Sequence, residues 1–167
     1  MERVIDAFGS IALAVSGARL LLVGQGSHET ALRRLAGASP ARSAIRFAGS
    51  VARDELPPYY QAADLFLFAS ETETQGLVLA EAHACGLPAV AVRASGVDEV
   101  VRDGETGLLT KADVEELADA AIGLLLDAPR RSAMALAARS LAARDFSAAR
   151  QVEVMVGHYR RLLGVSA

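Results

Sequence analysis

Glu73 stands just before a predicted helix, and Glu81 lies in the second turn of that helix. The helix begins near Gln75 or Gly76 with Thr74 as its cap, and the N–H groups of its first turn attract anions such as phosphate. Gly76 lets a ligand come close to the backbone. Because a carboxylate repels phosphate, we expect each glutamate to bind hydroxyl groups, those of a ribose on one side and of a hexose on the other. The pattern predicts a site for a nucleoside-diphosphate sugar.

A second interpretation of these acidic residues stays open. A carboxylate near the positive end of a helix stabilises it by about 0.3–1 kcal/mol. Glu71 and Glu73 would then serve the helix alone, and Glu81 would be a surface residue. Spacing by itself does not separate the two interpretations.

Short apolar runs alternate with stretches of helical spacing along most of the chain. Brief runs followed by small or polar residues predict strands at 19–23, 44–48, 64–68, 88–92 and 107–109. Between them, helical spacing predicts helices at 28–37, 53–62 and 76–85. Strand and helix in turn indicate a doubly wound, mostly parallel sheet with helices on both faces.

Helices follow the last predicted strand. Asp113 can cap a helix over 114–126, a second helix starts at Pro129, and Ser147 can cap a third that ends near Leu163. They are rich in Ala and Leu, so we expect them to pack on the sheet. With 167 residues, 52% of them hydrophobic, the chain is predicted to be a single Rossmann-like α/β domain over 1–167 with C-terminal helices packed on it.

Composition argues against several classes of partner. A net charge of -3 and 5% aromatic residues give no basic surface for nucleic acid. The one cysteine, Cys85, cannot form an internal disulfide. We find no secretory signal and no apolar run of roughly 20 residues, the length that a membrane span needs. A cytoplasmic protein is therefore expected.

Ligands of an open parallel sheet bind beyond the carboxyl ends of its strands. The loops expected there, rich in small and polar residues, are 24–28, 49–52, 69–76 and 93–98. We therefore expect the ligand site to be built from these four loops.

The segment Glu73-Thr-Gln-Gly-Leu-Val-Leu-Ala-Glu81 resembles the E-x7-E signature of retaining glycosyltransferases of the GT-B fold, family 4. Segments 20–26, 46–51, 56–70 and 99–109 resemble the same family in the same order. Several ordered motifs are more specific than one, and together they cover nearly the whole chain.

The resemblance implies a role for each matching residue. Glu73, the residue named as catalytic, would hold hydroxyls of the donor sugar, and Glu81 the hydroxyls of the ribose. The remaining donor-binding residues fall into three groups. The diphosphate and sugar would be held by backbone N–H groups of Thr74, Gln75, Gly76 and Leu77. The base would be lined by Gly49 and Val51, and the loop passing near the nucleotide would contain Gly24 and Gly26.

The family requires no metal and no cofactor, and the three histidines of this chain, His28, His83 and His158, are scattered. The segment Gly24-Gln-Gly-Ser-His-Glu29 resembles the start of a dinucleotide fingerprint, but Glu29 stands where a third glycine belongs, which argues against a nicotinamide site. We interpret His83 as a packed or surface residue, Cys85 as a small buried apolar residue, and Tyr59 and Tyr60 as helix packing.

Two departures from the family bear on function. The acceptor-binding half has no counterpart in the sequence, and the chain begins at a helix resembling the one that follows the family's first strand and its basic loop. Neither Arg3 nor Arg19 matches the missing basic pair. Because that strand is usually central, we expect either direct pairing of 19–23 with 64–68 or recruitment of another chain.

These observations predict the donor-binding part of a retaining glycosyltransferase. The complete enzyme would transfer a hexose from a UDP- or GDP-sugar to a hydroxyl acceptor, with a lipid or cell-envelope glycan suggested by Thr72 to Gly76. Its partners would be the donor, an acceptor-binding domain and, through that domain, the inner face of the membrane. We expect no turnover by the isolated chain. A non-enzymatic nucleotide-sugar or partner-binding module and a sugar-nucleotide epimerase are the alternatives.

Overall fold

The computed structural model describes residues 1–164, so the last three residues of the predicted domain lie outside it. In this range five strands form, all paired in parallel. They are β1 (Leu20–Val23), β2 (Ile45–Gly49), β3 (Phe66–Phe68), β4 (Ala89–Val92) and β5 (Gly107–Thr110).

Helices alternate with these strands and then follow them. They are α1 (Glu2–Ala14), α2 (Glu29–Ala38), α3 (Leu56–Gln61), α4 (Leu77–Ala84), α5 (Ser95–Asp98), α6 (Val114–Leu126), α7 (Ala128–Asp145) and α8 (Ala148–Leu163), with short 3-10 turns at Arg42–Ala44 and Arg53–Glu55. The predicted alternation and the predicted α/β class are confirmed.

Capping side chains start the last three helices. Asp113 accepts a hydrogen bond from the N–H of Glu116 at 2.8 Å, and Ser147 accepts one from Arg150 at 3.3 Å, as predicted. At the start of α7 the cap is Asp127, which accepts from Arg130 at 3.0 Å, with Pro129 inside the first turn. Each cap satisfies an N–H group that has no partner inside its helix.

The strands form two sheets with an interruption in the middle. β1 pairs with β2, and β4 lies between β3 and β5. Within residues 1–164, β1 and β3 do not pair, so the expected direct pairing of 19–23 with 64–68 is wrong. Leu22 of β1 and Leu67 of β3 nevertheless belong to one apolar cluster. The two sheets therefore share a core without sharing a hydrogen-bond network.

Helices cover both faces of this interrupted sheet. On one face α1 packs against α6 and α2, and Val4, Ile5, Phe8 and Ile11 of α1 are buried. Each such side chain contributes roughly 1.5–3 kcal/mol by leaving water. On the other face α4 packs against α7 over a second cluster around Leu79 and Val100.

The last helix differs from the two before it. α6 and α7 carry buried side chains, as expected of helices packed on the sheet, whereas α8 contacts α7 but buries none of its described side chains. Among residues 1–164, no helix combines the length and the apolar character that crossing a bilayer requires.

Candidate functional site

The start of α4 lies beyond the carboxyl end of β3, where the sequence predicts the site. The N-cap of this helix is Gly76 in a left-handed conformation, with φ of 62°. Glu73 Oε1 accepts hydrogen bonds from the N–H groups of Thr74 at 3.1 Å, Gln75 at 3.1 Å and Gly76 at 2.9 Å. These N–H groups belong to the loop before α4, and no side chain of the described residues caps the helix itself, so the prediction of Thr74 as the cap is wrong.

These three hydrogen bonds hold the pKa of Glu73 below its ordinary value, with the Gly76 N–H contributing most. A carboxylate held in this way stays ionised at neutral pH. The N–H groups of Leu77 and Val78 come next along the helix, and they have no backbone acceptor within the described chain. Both residues are exposed. Of the four N–H groups assigned to the donor, three donate to Glu73, and that of Leu77 has no acceptor among residues 1–164.

The loop before α4 touches the short helix α5 at Gly76 and Gly96. A Cβ atom on Gly76 would lie 2.6 Å from the carbonyl oxygen of Gly96 and 2.8 Å from Val100 Cγ2. A Cβ atom on Gly96 would lie 2.7 Å from the backbone nitrogen of Gln75. The Gly96 N–H donates to the carbonyl oxygen of Glu73 at 3.2 Å. Gly76 is thus required for loop packing as well as for its backbone conformation.

Glu81 has two side-chain partners from other elements. Its Oε1 lies 3.2 Å from Arg53 Nη2, and its Oε2 accepts a hydrogen bond from the Tyr60 hydroxyl at 3.2 Å. The Glu81 side chain is 32% exposed, which does not fit the alternative of a freely solvated surface residue. Arg53 follows the loop after β2, so it connects that loop to α4 across the interruption between the sheets.

Tyr60 packs as predicted, since its ring meets the edge of Phe66 with 5.8 Å between centroids. Its hydroxyl also contacts the site, which sequence reasoning missed. Burial and the neighbouring charge of Glu81 raise the pKa of Tyr60 to about 12. The phenol is therefore a hydrogen-bond donor at neutral pH.

The loops after β1 and β2 are joined to each other. The Gly24 N–H donates to the Gly49 carbonyl at 2.7 Å, and both glycines have positive φ, 121° and 74°. Gly26 accepts from the Glu29 N–H at 3.1 Å at the start of α2. Val51 is half-buried. These four predicted residues lie at one end of β1 and β2, and Arg53 links that end to Glu81.

A cavity of about 480 Å³ opens between the first turn of α1 and the ends of β1 and β3. It is lined by Arg3, Asp6, His28 and Ala69, among others. Arg3 Nη2 lies 3.1 Å from Glu71 Oε2, so α1 is tied to the loop before α4. Sequence matching placed Arg3 outside the family's basic pair and gave no sign that it would reach this edge of the sheet.

His83 of α4 and Cys85, the residue that follows this helix, do not line this cavity. His83 is fully buried, and neither ring nitrogen has a hydrogen-bond partner in the described part of the chain. Its assignment as a packed residue is confirmed. Cys85 is half-buried. Across residues 1–164, no cluster of three or more His, Cys, Asp and Glu side chains is arranged to hold a metal ion.

The sequence model of the family described as glycosyl transferases group 1 matches residues 1–127. The chain belongs to this family. It is 36% identical over 146 residues to the GDP-mannose-dependent alpha-(1-6)-phosphatidylinositol monomannoside mannosyltransferase of Mycobacterium tuberculosis, covering 83% of this chain and 38% of that protein.

Solved structures of this glycosyltransferase class have the same fold. Sucrose-phosphate synthase from Thermosynechococcus elongatus superposes with a TM-score of 0.86 at 28% identity, covering 97% of this chain and 43% of that one. Anabaena HepE in complex with UDP and glucose gives 0.81 at 25% identity, covering 93% and 44%. The predicted resemblance to GT-B glycosyltransferases is confirmed, and the chain spans less than half the length of these relatives.

Proposed function

We propose that this chain is the donor-binding part of a retaining glycosyltransferase that uses a UDP- or GDP-sugar. The arrangement of groups at the start of α4 is the observation that carries the proposal. Free N–H groups at Leu77 and Val78 lie between two carboxylates that are held in place, those of Glu73 and Glu81. Relatives named for GDP-mannose and crystallised with UDP support a nucleotide-bound donor.

Each group at this helix has a chemical task in the proposal. The N–H groups and the positive end of α4 bind the diphosphate and stabilise the negative charge that it gains as leaving group. Glu73 uses its second oxygen, Oε2, to accept from hydroxyls of the sugar, because Oε1 already accepts from three N–H groups of the loop before α4. Glu81 accepts from the ribose, and the loop at Gly49 and Val51 lines the base.

The rest of the reaction requires parts beyond these loops. An acceptor hydroxyl attacks the anomeric carbon, the bond to the diphosphate breaks, and the hydroxyl proton passes to the departing diphosphate, while the configuration of the sugar is kept. Residues that bind the acceptor belong to a second domain, consistent with the 38% of the mannosyltransferase that this chain spans. We propose that donor binding needs no metal, as in similar enzymes, and that transfer takes place at the cytoplasmic face of the membrane onto a lipid or cell-envelope acceptor.

Isothermal titration of the purified chain with UDP, GDP, UDP-glucose and GDP-mannose tests the proposal. Glu81→Ala should weaken binding of every ligand, whereas Glu73→Ala should weaken binding of the nucleotide sugars and leave binding of UDP and GDP unweakened. One hydrogen bond to a charged group corresponds to about tenfold or more in Kd. Glu115→Ala is the matched control, because Glu115 lies exposed in the first turn of α6.

The possible results separate the alternatives. Binding of one base, with this pattern in the variants, supports the donor site and identifies the nucleotide. Binding that neither Glu73→Ala nor Glu81→Ala changes would place the nucleotide elsewhere. No binding of any of the four ligands would contradict the proposal and favour a partner-binding module.

A further inference from the structure

The carboxylate of Glu81 is held by two partners of different kinds. Arg53 meets Oε1 and the Tyr60 hydroxyl meets Oε2, each at 3.2 Å. An ionised carboxylate only accepts hydrogen bonds, and each of its oxygens can accept two. Glu81 can therefore keep one partner while it binds a ligand through the other oxygen.

Arg53 is the partner that a ligand can replace. Its side chain is 86% exposed and belongs to the short 3-10 turn Arg53–Glu55. An ion pair this exposed is weak, because water and salt screen it and a long side chain must be ordered to form it. Hydroxyl groups arriving at Oε1 would compete with this contact at little cost.

Tyr60 is the partner that stays. The residue is half-buried, its ring packs edge-on against Phe66, and Phe66 stacks on Phe68 with 6.1 Å between centroids. Both phenylalanines belong to β3, the strand that leads into the site loop. The position of the Tyr60 hydroxyl is thus set by the sheet, and Tyr60 in turn sets the orientation of Glu81.

We propose that Tyr60 is a positioning residue for nucleotide recognition, whose hydroxyl fixes the Glu81 carboxylate so that Oε1 receives the ribose hydroxyls in place of Arg53. The inference rests on the proposed function, because Glu81 meets a ribose only if the chain binds a nucleotide donor. It adds a residue of α3 that touches no ligand and acts through Glu81.

The discriminating experiment compares ribose with deoxyribose. Isothermal titration of the full chain with UDP, GDP and their 2′-deoxy analogues measures how strongly the 2′-hydroxyl is recognised. Tyr60→Phe keeps the ring and removes the hydroxyl. Tyr59→Phe makes the same change at the neighbouring position, where no hydrogen bond to Glu81 exists in the described residues.

For the wild-type chain and Tyr59→Phe, we expect the ribonucleotide to bind about tenfold tighter than its deoxy analogue. In Tyr60→Phe, this ratio should fall to about twofold or less, mainly because the ribonucleotide binds more weakly. Glu81→Gln should lower the ratio in the same way. A structural defect alone would weaken both forms equally and leave the ratio unchanged.

Phenol titration by ultraviolet absorbance checks the contact without any ligand. The difference between the wild type and Tyr60→Phe isolates the Tyr60 signal. Glu81, Cys85 and Arg53 are the titratable or charged groups near this phenol. Its pKa should lie well above 10 in the wild type and fall in Glu81→Gln, where the carboxylate charge is lost.

Failure of the inference and failure of the proposed function give different results. A ribose preference that Tyr60→Phe leaves intact would overturn the positioning role and keep the donor site. Nucleotide binding without any ribose preference in the wild type would remove the role of Glu81 and this inference with it. Absence of nucleotide binding would contradict the proposed function itself.

Discussion

At the scale of single residues, Glu73 covers part of the anion site that it flanks. One of its oxygens lies on three N–H groups of the loop before α4. Charge-assisted bonds of this kind are strong and stabilise the loop. The same carboxylate repels an approaching diphosphate, so the residue that orders the site also limits how the nucleotide approaches it.

Replacing Glu73 should separate these two effects. Glu73→Ala leaves three N–H groups without an acceptor, so we expect the free energy of unfolding to fall by about 1–2 kcal/mol. Because a negative charge is removed, UDP or GDP should bind at least as tightly as to the wild type, while the nucleotide sugars bind more weakly. Urea unfolding and titration calorimetry measure the two quantities.

Glu73→Gln is the control for this prediction, because its amide oxygen can still cap the loop without the charge. It keeps these hydrogen bonds in a weaker, uncharged form, so its free energy of unfolding should lie between those of the wild type and Glu73→Ala. If Glu73→Ala weakened the bare nucleotides as much as Glu81→Ala does, the charge argument would be wrong.

His83 should make stability depend on pH. Burial lowers the pKa of His83 to about 4. The nearby backbone of Thr106 opposes this shift in part, although within the described residues it forms no hydrogen bond with the ring. In the unfolded chain the His83 imidazole takes up a proton near pH 6.5, whereas in the folded chain it stays neutral until about pH 4. The free energy of unfolding is therefore highest above pH 6.5 and falls as the pH is lowered towards 4. Between pH 7.5 and 5.0 the loss should be about 2 kcal/mol.

Urea unfolding at these two pH values tests the effect of His83. His83→Leu fills a similar volume without a titrating group, so this part of the pH dependence should disappear. His158→Gln, on the exposed face of α8, is the control and should keep it. An unchanged pH dependence in His83→Leu would show that the histidine is solvated or paired in solution.

Sequence spacing found Glu73 and Glu81 because they belong to one short motif that runs from the loop before α4 into the helix. It missed Tyr60 and Arg53 because their contacts with Glu81 join positions 21 and 28 residues apart. Contacts of this kind depend on where the 3-10 turn at Arg53 and helix α3 lie relative to Glu81, which local patterns do not specify. Thr74 was the wrong cap because α4 begins after Gly76, whose left-handed conformation starts the helix.

At the scale of elements, the turn before α4 depends on two glycines, Gly76 in the turn itself and Gly96 in α5. Periodicity and Gly or Pro positions were enough to predict α4 and the strands on either side of it. The close approach of Gly76 to Gly96 could not be predicted, because it joins segments that follow different strands. Gly76 was assigned to ligand approach, and the structure adds a packing reason for it.

Gly76→Ala should therefore be costly. The left-handed φ of 62° strains any residue with a Cβ, and that atom would meet the Gly96 carbonyl at 2.6 Å. We expect the free energy of unfolding to fall by roughly 2–5 kcal/mol. The matched control is Gly123→Ala in the interior of α6, where nothing lies within 4 Å of the added Cβ atom. Because alanine has the higher helix propensity, this variant should be more stable than the wild type by about 0.5–1 kcal/mol. Equal urea midpoints for the two variants would contradict the packing argument.

At the scale of the whole molecule, the interrupted sheet is the feature that sequence reasoning predicted only in part. The resemblance indicated that a central strand would be unmatched, and it offered direct pairing of 19–23 with 64–68 as one solution. That pairing does not form in residues 1–164. Burial of α1 against α6 and α2 explains why, since the helix fixes the spacing of β1 and β3 through one shared core.

The inner edges of the two sheets should show this interruption as fast amide exchange. The Phe66 N–H donates to the Pro88 carbonyl at 2.9 Å, and the Gly24 N–H to Gly49 at 2.7 Å. Because N–H groups alternate in direction along a strand, those of Leu67 and Leu21 point away from their paired neighbours. We expect these two amides to exchange at least about 100-fold faster than those of Phe66 and Leu22.

Hydrogen exchange followed by NMR at low and high protein concentration measures this difference and also tests recruitment of a second chain. Open edges template strand pairing, so association through them should slow exchange at Leu67 and Leu21 as concentration rises and leave Phe66 unchanged. Slow exchange of Leu67 and Leu21 in a chain shown by sedimentation to be monomeric would mean that the two sheets close onto each other in solution. Fast exchange at every concentration would mean that copies of this chain do not pair at these edges, so that only a strand of different sequence could complete the sheet.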